Sequence, residues 1–339
     1  MLKTKRFWLG LGLVVISMAI ALRGIEFDRL FQAIASINLI YVLPAIILFW
    51  LSFGGRAFRW QLLYSPLHVR LSKVLAMLSI GYFLSNIAPL RAGDVVRAYL
   101  LARSERVPVA RSLSSVVVER VMDLMTVVLL LVVLLPFIPR MPEAARAAGT
   151  VMGAAGLVLL VAFALLSLNR ERALPLLRRL SSPFPLLKRE SIWHAIDRLV
   201  DGFAVLHSLR PLAGVIAWSI LIWITAGLIN WMALMAMGIP LGPTAALLVL
   251  VATSLGVTIA PTPGQLGVFD ATAQQTLVLV YNVDPARALA YALVIHAYIY
   301  VWLMILGGLF MWREGISYGQ LQRVENSPGS PGATPIVSG

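Results

Sequence analysis

The stretch Asn86–Leu100, NIAPLRAGDVVRAYL, decides how this chain folds. It closes the apolar run Leu71–Ala88 and packs Pro89, Arg91, Gly93, Asp94 and Arg97 into a few residues. Proline stops a helix that reaches it and pushes the preceding residue into extended conformation. Irregular backbone at membrane depth survives only where protein buries it or a wet cavity meets it. The chain therefore either crosses at this point with a broken helix or bends and turns back.

The rest of the composition sets the solvent. Of 339 residues, 60% are hydrophobic and 13% charged, and the mean hydropathy is +0.87. A soluble domain cannot hide so much apolar surface, so the composition predicts an all-α polytopic membrane protein. The length leaves room for about seven or eight helices of about 20 residues. With no Cys, disulfides, thiolate metal sites and Cys nucleophiles are excluded. Four His without paired spacing argue against zinc. The net charge of +13 sits in short loops between apolar runs, as cytoplasmic loops and anionic lipid contacts require, and does not point to nucleic acid. No GxxxxGK[ST] phosphate loop is present, so no nucleotide cofactor is expected.

Six apolar runs read as full spans: Phe7–Leu22, Leu39–Tyr64, Ser112–Phe137, Ala147–Leu168, Leu212–Met237 and Ala286–Trp312. The first resembles a signal peptide in outline, with a small-residue site at Ala19–Ala21, but is expected to remain as a span. Glu26–Ile37 has helical apolar spacing suited to the interface. Asn169–Arg210 alternates Leu and Phe with Arg and Lys and contains several Pro, the pattern of amphipathic surface helices. Residues 1–312 form one membrane domain in this reading. Residues 313–339 form a cytoplasmic tail, disordered where Ser, Pro and Gly dominate from Asn326 onward.

Orientation then resolves the question at Pro89. Lys3, Lys5 and Arg6 place the N-terminus in the cytoplasm, and Arg70 and Lys73 return there after two crossings. A full crossing by Leu71–Ala88 would put Arg103, Arg106, Arg111 and the whole basic stretch Asn169–Arg210 outside, against the positive-inside rule. A re-entrant hairpin over Leu71–Arg103, bent at Pro89–Gly93, removes the conflict. A second hairpin, bent at Pro261–Gly267, then brings both termini inside. The expectation is about eight membrane segments, six full spans and two re-entrant hairpins, in the bacterial inner membrane.

The two bends share a pattern. Ile87–Ala88–Pro89 precedes Gly93 and Asp94, and Ile259–Ala260–Pro261 precedes Gly264, Gly267 and Asp270. Opposed hairpins in two halves are the signature of an inverted-repeat transporter whose site lies where the broken helices meet. A helix that starts after such a bend exposes unpaired N–H groups and a positive dipole end. Arg91 and Arg97 beside it would suit an anion such as phosphate. Asp94 can orient an arginine, cap the helix or carry a proton.

Other ionisable residues in apolar sequence are costly and carry structural or functional readings alike. Arg56 and Arg59 in GGRAFRW either snorkel to the interface beside Trp60 or clamp a lipid phosphate. Glu119 and Asp123 share a helix face beside Arg120, either as an internal ion pair to an arginine of the first hairpin or as a relay. Asp270 is the one acid of the second hairpin, either functional or a helix cap. His296, alone in its apolar span, reads as a hydrogen-bonded packing residue.

The succession GGRAFRW, NIAPLRAGDVVRAYLLAR, VVVERVMDL and PTPGQLGVFDA resembles the lysylphosphatidylglycerol synthase transmembrane-region family. That family, also called the flippase-like domain family, includes the YbhN-type integral membrane proteins. The resemblance runs over about residues 5–312. Asn86, Pro89, Arg91, Gly93 and Arg97 match its first motif, with Asp94 where the family has Glu. Glu119, Arg120 and Asp123 match the next. Pro263, Gly264, Leu266 and Gly267 match the last, with Gln265 in place of a Gly and Asp270 in place of a Glu. In two-part synthases, the resemblance implies, this region flips aminoacylated lipid while a soluble domain makes it. No such domain follows here, so lipid lysinylation by this chain is not expected.

The expected function is lipid transport of flippase-like type, with no enzymatic activity and no metal. A phosphate-bearing head group of an anionic phospholipid or polyprenyl phosphate would be held between the hairpins. Its site would comprise Arg56, Arg59, Asn86, Pro89, Arg91, Gly93, Asp94, Arg97, Glu119, Arg120, Asp123, Pro263, Gly264, Gly267 and Asp270. The alternative is an accessory membrane protein that recruits a glycosyltransferase or lipid-synthesis enzyme through Asn169–Arg210. A membrane enzyme acting on lipid phosphates lacks a visible nucleophile–base set.

Overall fold

The computed structural model describes residues 5–87, 92–138 and 209–317, with some positions between 143 and 158. Pro89 and Arg91, most of Ala147–Leu168, the amphipathic connection up to residue 208 and the tail from 318 lie outside the described residues. Every regular element among the described residues is helical. The helices are α1 (Lys5–Leu22), α2 (Phe27–Ala35), α3 (Val42–Leu62), α4 (Leu71–Ile87), α5 (Ala92–Ser104), α6 (Val109–Leu134), α7 (Leu209–Ala236), α8 (Pro243–Ile259), α9 (Val268–Tyr281) and α10 (Pro285–Glu314).

Three of the described helical segments, Leu39–Leu62, Arg210–Ala236 and Pro285–Glu314, are long and apolar enough to cross a membrane. Their outward faces are greasy. Ile216, Ile220 and Ile224 of α7 and Val301, Ile305 and Leu309 of α10 are exposed at four-residue spacing, a stripe of the kind that lipid covers. The polarity is inverted relative to a soluble bundle, because Arg59, Arg97 and Glu119 are buried.

Two apolar helices are shorter: α4 and α8, each 17 residues, or about 26 Å. Each is followed by a still shorter helix, α5 of 13 residues and α9 of 14. A bilayer crossing takes roughly 17–25 residues, so α4 and α8 stand at its short end and α5 and α9 fall below it. In the first pair the chain returns to where it began. Arg70, just before α4, donates from its backbone N–H and its Nε to Glu105, just after α5, at 3.0 and 2.9 Å. Gly93 lets the two arms touch, because a Cβ there would strike the backbone oxygen of Gly81. The second pair closes likewise, with Leu248 of α8 packed in one cluster with Val280 and Tyr281 of α9.

The other helices frame these hairpins. α3 packs on α7, α10 on α4 and α9, and α1 on α9. Beside α6 the segment 143–158 is helical at its described positions. Its Gly149, Gly153 and Gly156 approach Leu135, Val132 and Val128, the small-residue packing common between membrane helices. The last helix runs to Glu314, two residues beyond the domain end expected at 312.

Candidate functional site

The ends of the two hairpins meet. The backbone oxygen of Asn86, in the last turn of α4, lies 3.0 Å from where a Cβ of Gly264 would stand. Gly264 has φ +59°, a left-handed turn that glycine adopts without a steric penalty. It sits in the single 3₁₀ turn Pro263–Gln265 between α8 and α9. Gly267 then caps α9 at φ +77°, and a Cβ there would lie 2.8 Å from the backbone oxygen of Val14 in α1.

Beneath the first hairpin runs a chain of alternating charges. Arg59 of α3 donates from Nη1 and Nη2 to the two oxygens of Asp123, at 2.7 and 3.2 Å. Its Nη2 also faces Glu119 Oε1 at 3.4 Å. The other oxygen of Glu119 accepts from Arg97 Nη2 at 3.0 Å. Arg97 Nε reaches Asp94 Oδ1 at 3.1 Å. Asp94 finally takes both Nε and Nη2 of Arg120, at 2.9 and 2.7 Å. Three guanidinium groups and three carboxylates thus alternate across α3, α5 and α6, and the set is electrically neutral. Neutrality lowers the desolvation cost that any one of these charges would carry alone.

The remaining contacts of Arg59 and Arg97 are specific. Arg59 Nη1 donates to Ser219 of α7 at 3.3 Å. The Arg97 guanidinium lies over the Trp60 ring at 4.5 Å and faces that of Tyr82 at 5.8 Å. Trp60 is anchored by an Nε1–H donated to Ser115 at 3.0 Å, and Ser112 donates to the Ala98 carbonyl at 2.6 Å. Arg59 is therefore an internal ion-pair residue rather than a snorkelling one. Arg97 spends two of its nitrogens on acids. Arg56, one helical turn before Arg59, is half-buried.

Several buried polar atoms on and beside the first hairpin lack a hydrogen-bond partner among the described residues, Arg59 Nε and Glu119 Oε1 of the charge chain among them. Arg97 Nη1, the Tyr82 hydroxyl and the Asn86 Nδ2 are buried and find no hydrogen-bond partner among the described residues. Tyr82 and Asn86 stand four apart on one face of α4. Donors in this position want acceptor oxygens.

Asp270 and His296 form a second group. Asp270 Oδ2 accepts the backbone N–H of Gly267 at 2.9 Å, which makes it a cap of α9. Its Oδ1 lies 2.9 Å from His296 Nδ1, and His296 Nε2 lies 2.9 Å from the Gly264 carbonyl oxygen. His296 is hydrogen-bonded as expected, yet its partners are the acid and the turn of the second hairpin. The sequence held the signal. One acid in an apolar hairpin and one His in an apolar span each need a partner. Trp60 and Tyr82 carried no such signal, because an aromatic in a greasy helix reads as packing. Among the described residues no group of His, Asp and Glu could hold a metal ion.

No solved structure matches the chain. A UPF0104 membrane protein of Methanocaldococcus jannaschii is 31% identical over 103 residues, which cover 29% of this chain and 31% of that protein. The match thus spans about a third of that relative's length. Over residues 7–307, with both hairpins and both polar clusters inside the matched region, the chain fits the family described as the lysylphosphatidylglycerol synthase TM region, and it belongs to that family.

Proposed function

We propose that the protein is a flippase-like lipid transporter that binds a phosphate-bearing head group where the two hairpin ends meet. The observation that carries this reading is the unfilled donor set of Arg97 Nη1, Tyr82 and Asn86 beside the contact with Gly264. Buried donors without acceptors cost about 1–3 kcal/mol each, and an oxygen-rich phosphate removes that cost. The acyl or prenyl chains would lie along the exposed apolar stripes. In this reading α4–α5 and α8–α9 are re-entrant hairpins related as an inverted repeat. Their helix lengths support that, since the second arms, α5 with 13 residues and α9 with 14, are too short to complete a crossing alone. Six further spans, cytoplasmic termini and a cytoplasmic 169–210 connection complete the proposed topology.

The head group would not displace the ion chain. Arg59, Arg120 and the acids keep the hairpin in place, and Asn86, Tyr82 and the free nitrogen of Arg97 touch the ligand. Asp94, Glu119 and Asp123 hold the arginines, so their part in binding is to position. Native mass spectrometry of the purified chain tests this. The wild type should carry a phosphate-bearing lipid. Asn86→Ala and Tyr82→Phe should lose about tenfold or more of it, one charge-assisted contact's worth, at unchanged thermal stability. Retention of the same lipid by the double variant would overturn the reading.

A further inference from the structure

The proton count of the His296–Asp270 pair is fixed by its partners. The Gly264 carbonyl can only accept, so His296 Nε2 must carry a hydrogen. The 2.9 Å contact between Nδ1 and Asp270 Oδ1 then needs one more proton, on the ring or on the carboxyl. Both placements give a pair of zero net charge, imidazolium with carboxylate or imidazole with carboxylic acid. That balance suits a site where Asp270 is 0% exposed. Remove one proton and the geometry fails. Either Nδ1 and Oδ1 face each other as two acceptors, or Nε2 turns a lone pair to the Gly264 oxygen.

We propose that His296 and Asp270 form a one-proton binding site that latches the turn of the second hairpin, and that loss of the proton releases this turn. His296 sits on α10, Asp270 on α9 and Gly264 in the turn between α8 and α9, so one proton joins three elements. The latch bears directly on the hairpin contact, because Gly264 also abuts Asn86. Release would free the second hairpin end from the first, and a proton would then be the species whose binding opens and closes the site. The latch stands on this geometry alone; only its coupling to lipid rests on the function proposed above.

Charged groups on the helices packed around the pair, among the described residues, have partners of their own or lie exposed. Beside the ring lie Phe269 of α9 at 4.9 Å and Tyr300 of α10 at 6.4 Å between centroids. On α4, Lys73 pairs with Glu314 at the far end of α10 at 2.6 Å. On α2, Glu26 at its start pairs with Arg29 in exposed positions, and Asp28 is exposed. On α7, Arg210 is exposed and Asn230 accepts from Tyr291 of α10 at 2.8 Å. Arg287, at the start of α10, reaches the Gly238 carbonyl.

The absence of cysteine permits a direct test on the full chain in lipid nanodiscs. Thr262, in the turn, is buried, and Thr262→Cys reports opening through its rate of maleimide labelling. Ser36→Cys, at an exposed position, corrects for the thiol's own ionisation. The corrected rate should rise with pH by about tenfold, as one buried hydrogen bond is lost. In Asp270→Asn the amide still donates to Nδ1 and its oxygen still accepts from Gly267, so the turn should stay protected at every pH. His296→Leu should leave it open at every pH. A corrected wild-type rate that does not change with pH would overturn the latch. So would an Asp270→Asn profile that matches the wild type. Neither measurement reads lipid binding, so a chain that fails to retain a phosphate-bearing lipid could still show the latch.

Discussion

Arg59 holds Asp123 with two nitrogens, at 2.7 and 3.2 Å, across a sequence separation of 64 residues. A guanidinium matches a carboxylate in this two-pronged way and an ammonium does not. The pair ties α3 to α6 at one end of the alternating charge chain, so its removal is a test of structure rather than of ligand binding.

Arg59→Ala should lower stability by about 3–5 kcal/mol, because it strands a buried carboxylate. Thermal unfolding in detergent measures the loss. The double substitution Arg59→Met with Asp123→Leu should recover most of it, since the remaining Arg97, Arg120, Glu119 and Asp94 still sum to zero charge. A double variant no more stable than Arg59→Ala would show that the pair does more than balance charge.

Gly93→Ala should open the first hairpin. Its Cβ would strike the backbone oxygen of Gly81, which no side-chain rotation relieves. Overpacking of this kind costs about 1–3 kcal/mol, and more against backbone. Gly54→Ala, with nothing within 4 Å of the added carbon, should change little. Comparing their unfolding temperatures separates close packing from a general dislike of change in these helices.

Tyr291→Phe should cost about 1–3 kcal/mol. It removes the hydroxyl that donates to Asn230 Oδ1 at 2.8 Å and leaves that oxygen buried between α7 and α10. Adding Asn230→Leu should reduce the deficit, because both polar partners are then gone. Equal stability of wild type and Tyr291→Phe would mean that the amide finds another donor.

The proposed topology has its own test. Single cysteines at residues 175–195 should react with an impermeant reagent only after the cell is opened. Labelling of this stretch from outside intact cells would turn the hairpin α4–α5 into a full crossing.

Sequence by itself determined the helical membrane character, through an apolar content no soluble fold can bury. It also located the ends of α4 at Ile87 and of α8 at Ile259, each two residues before a proline, whose ring and missing N–H oppose continuing the helix. The short arms on either side of each break followed from the same residues. Which charge meets which was decided only by tertiary structure. Arg59 was legible as a charge in a greasy helix, yet its rotation toward Asp123 depends on how α3, α6 and α7 pack. Asp270 read as either functional or a helix cap, and His296 separately as a packing residue. Their union across α9 and α10 needs the second hairpin folded against the last helix, and no local rule of sequence contains that contact.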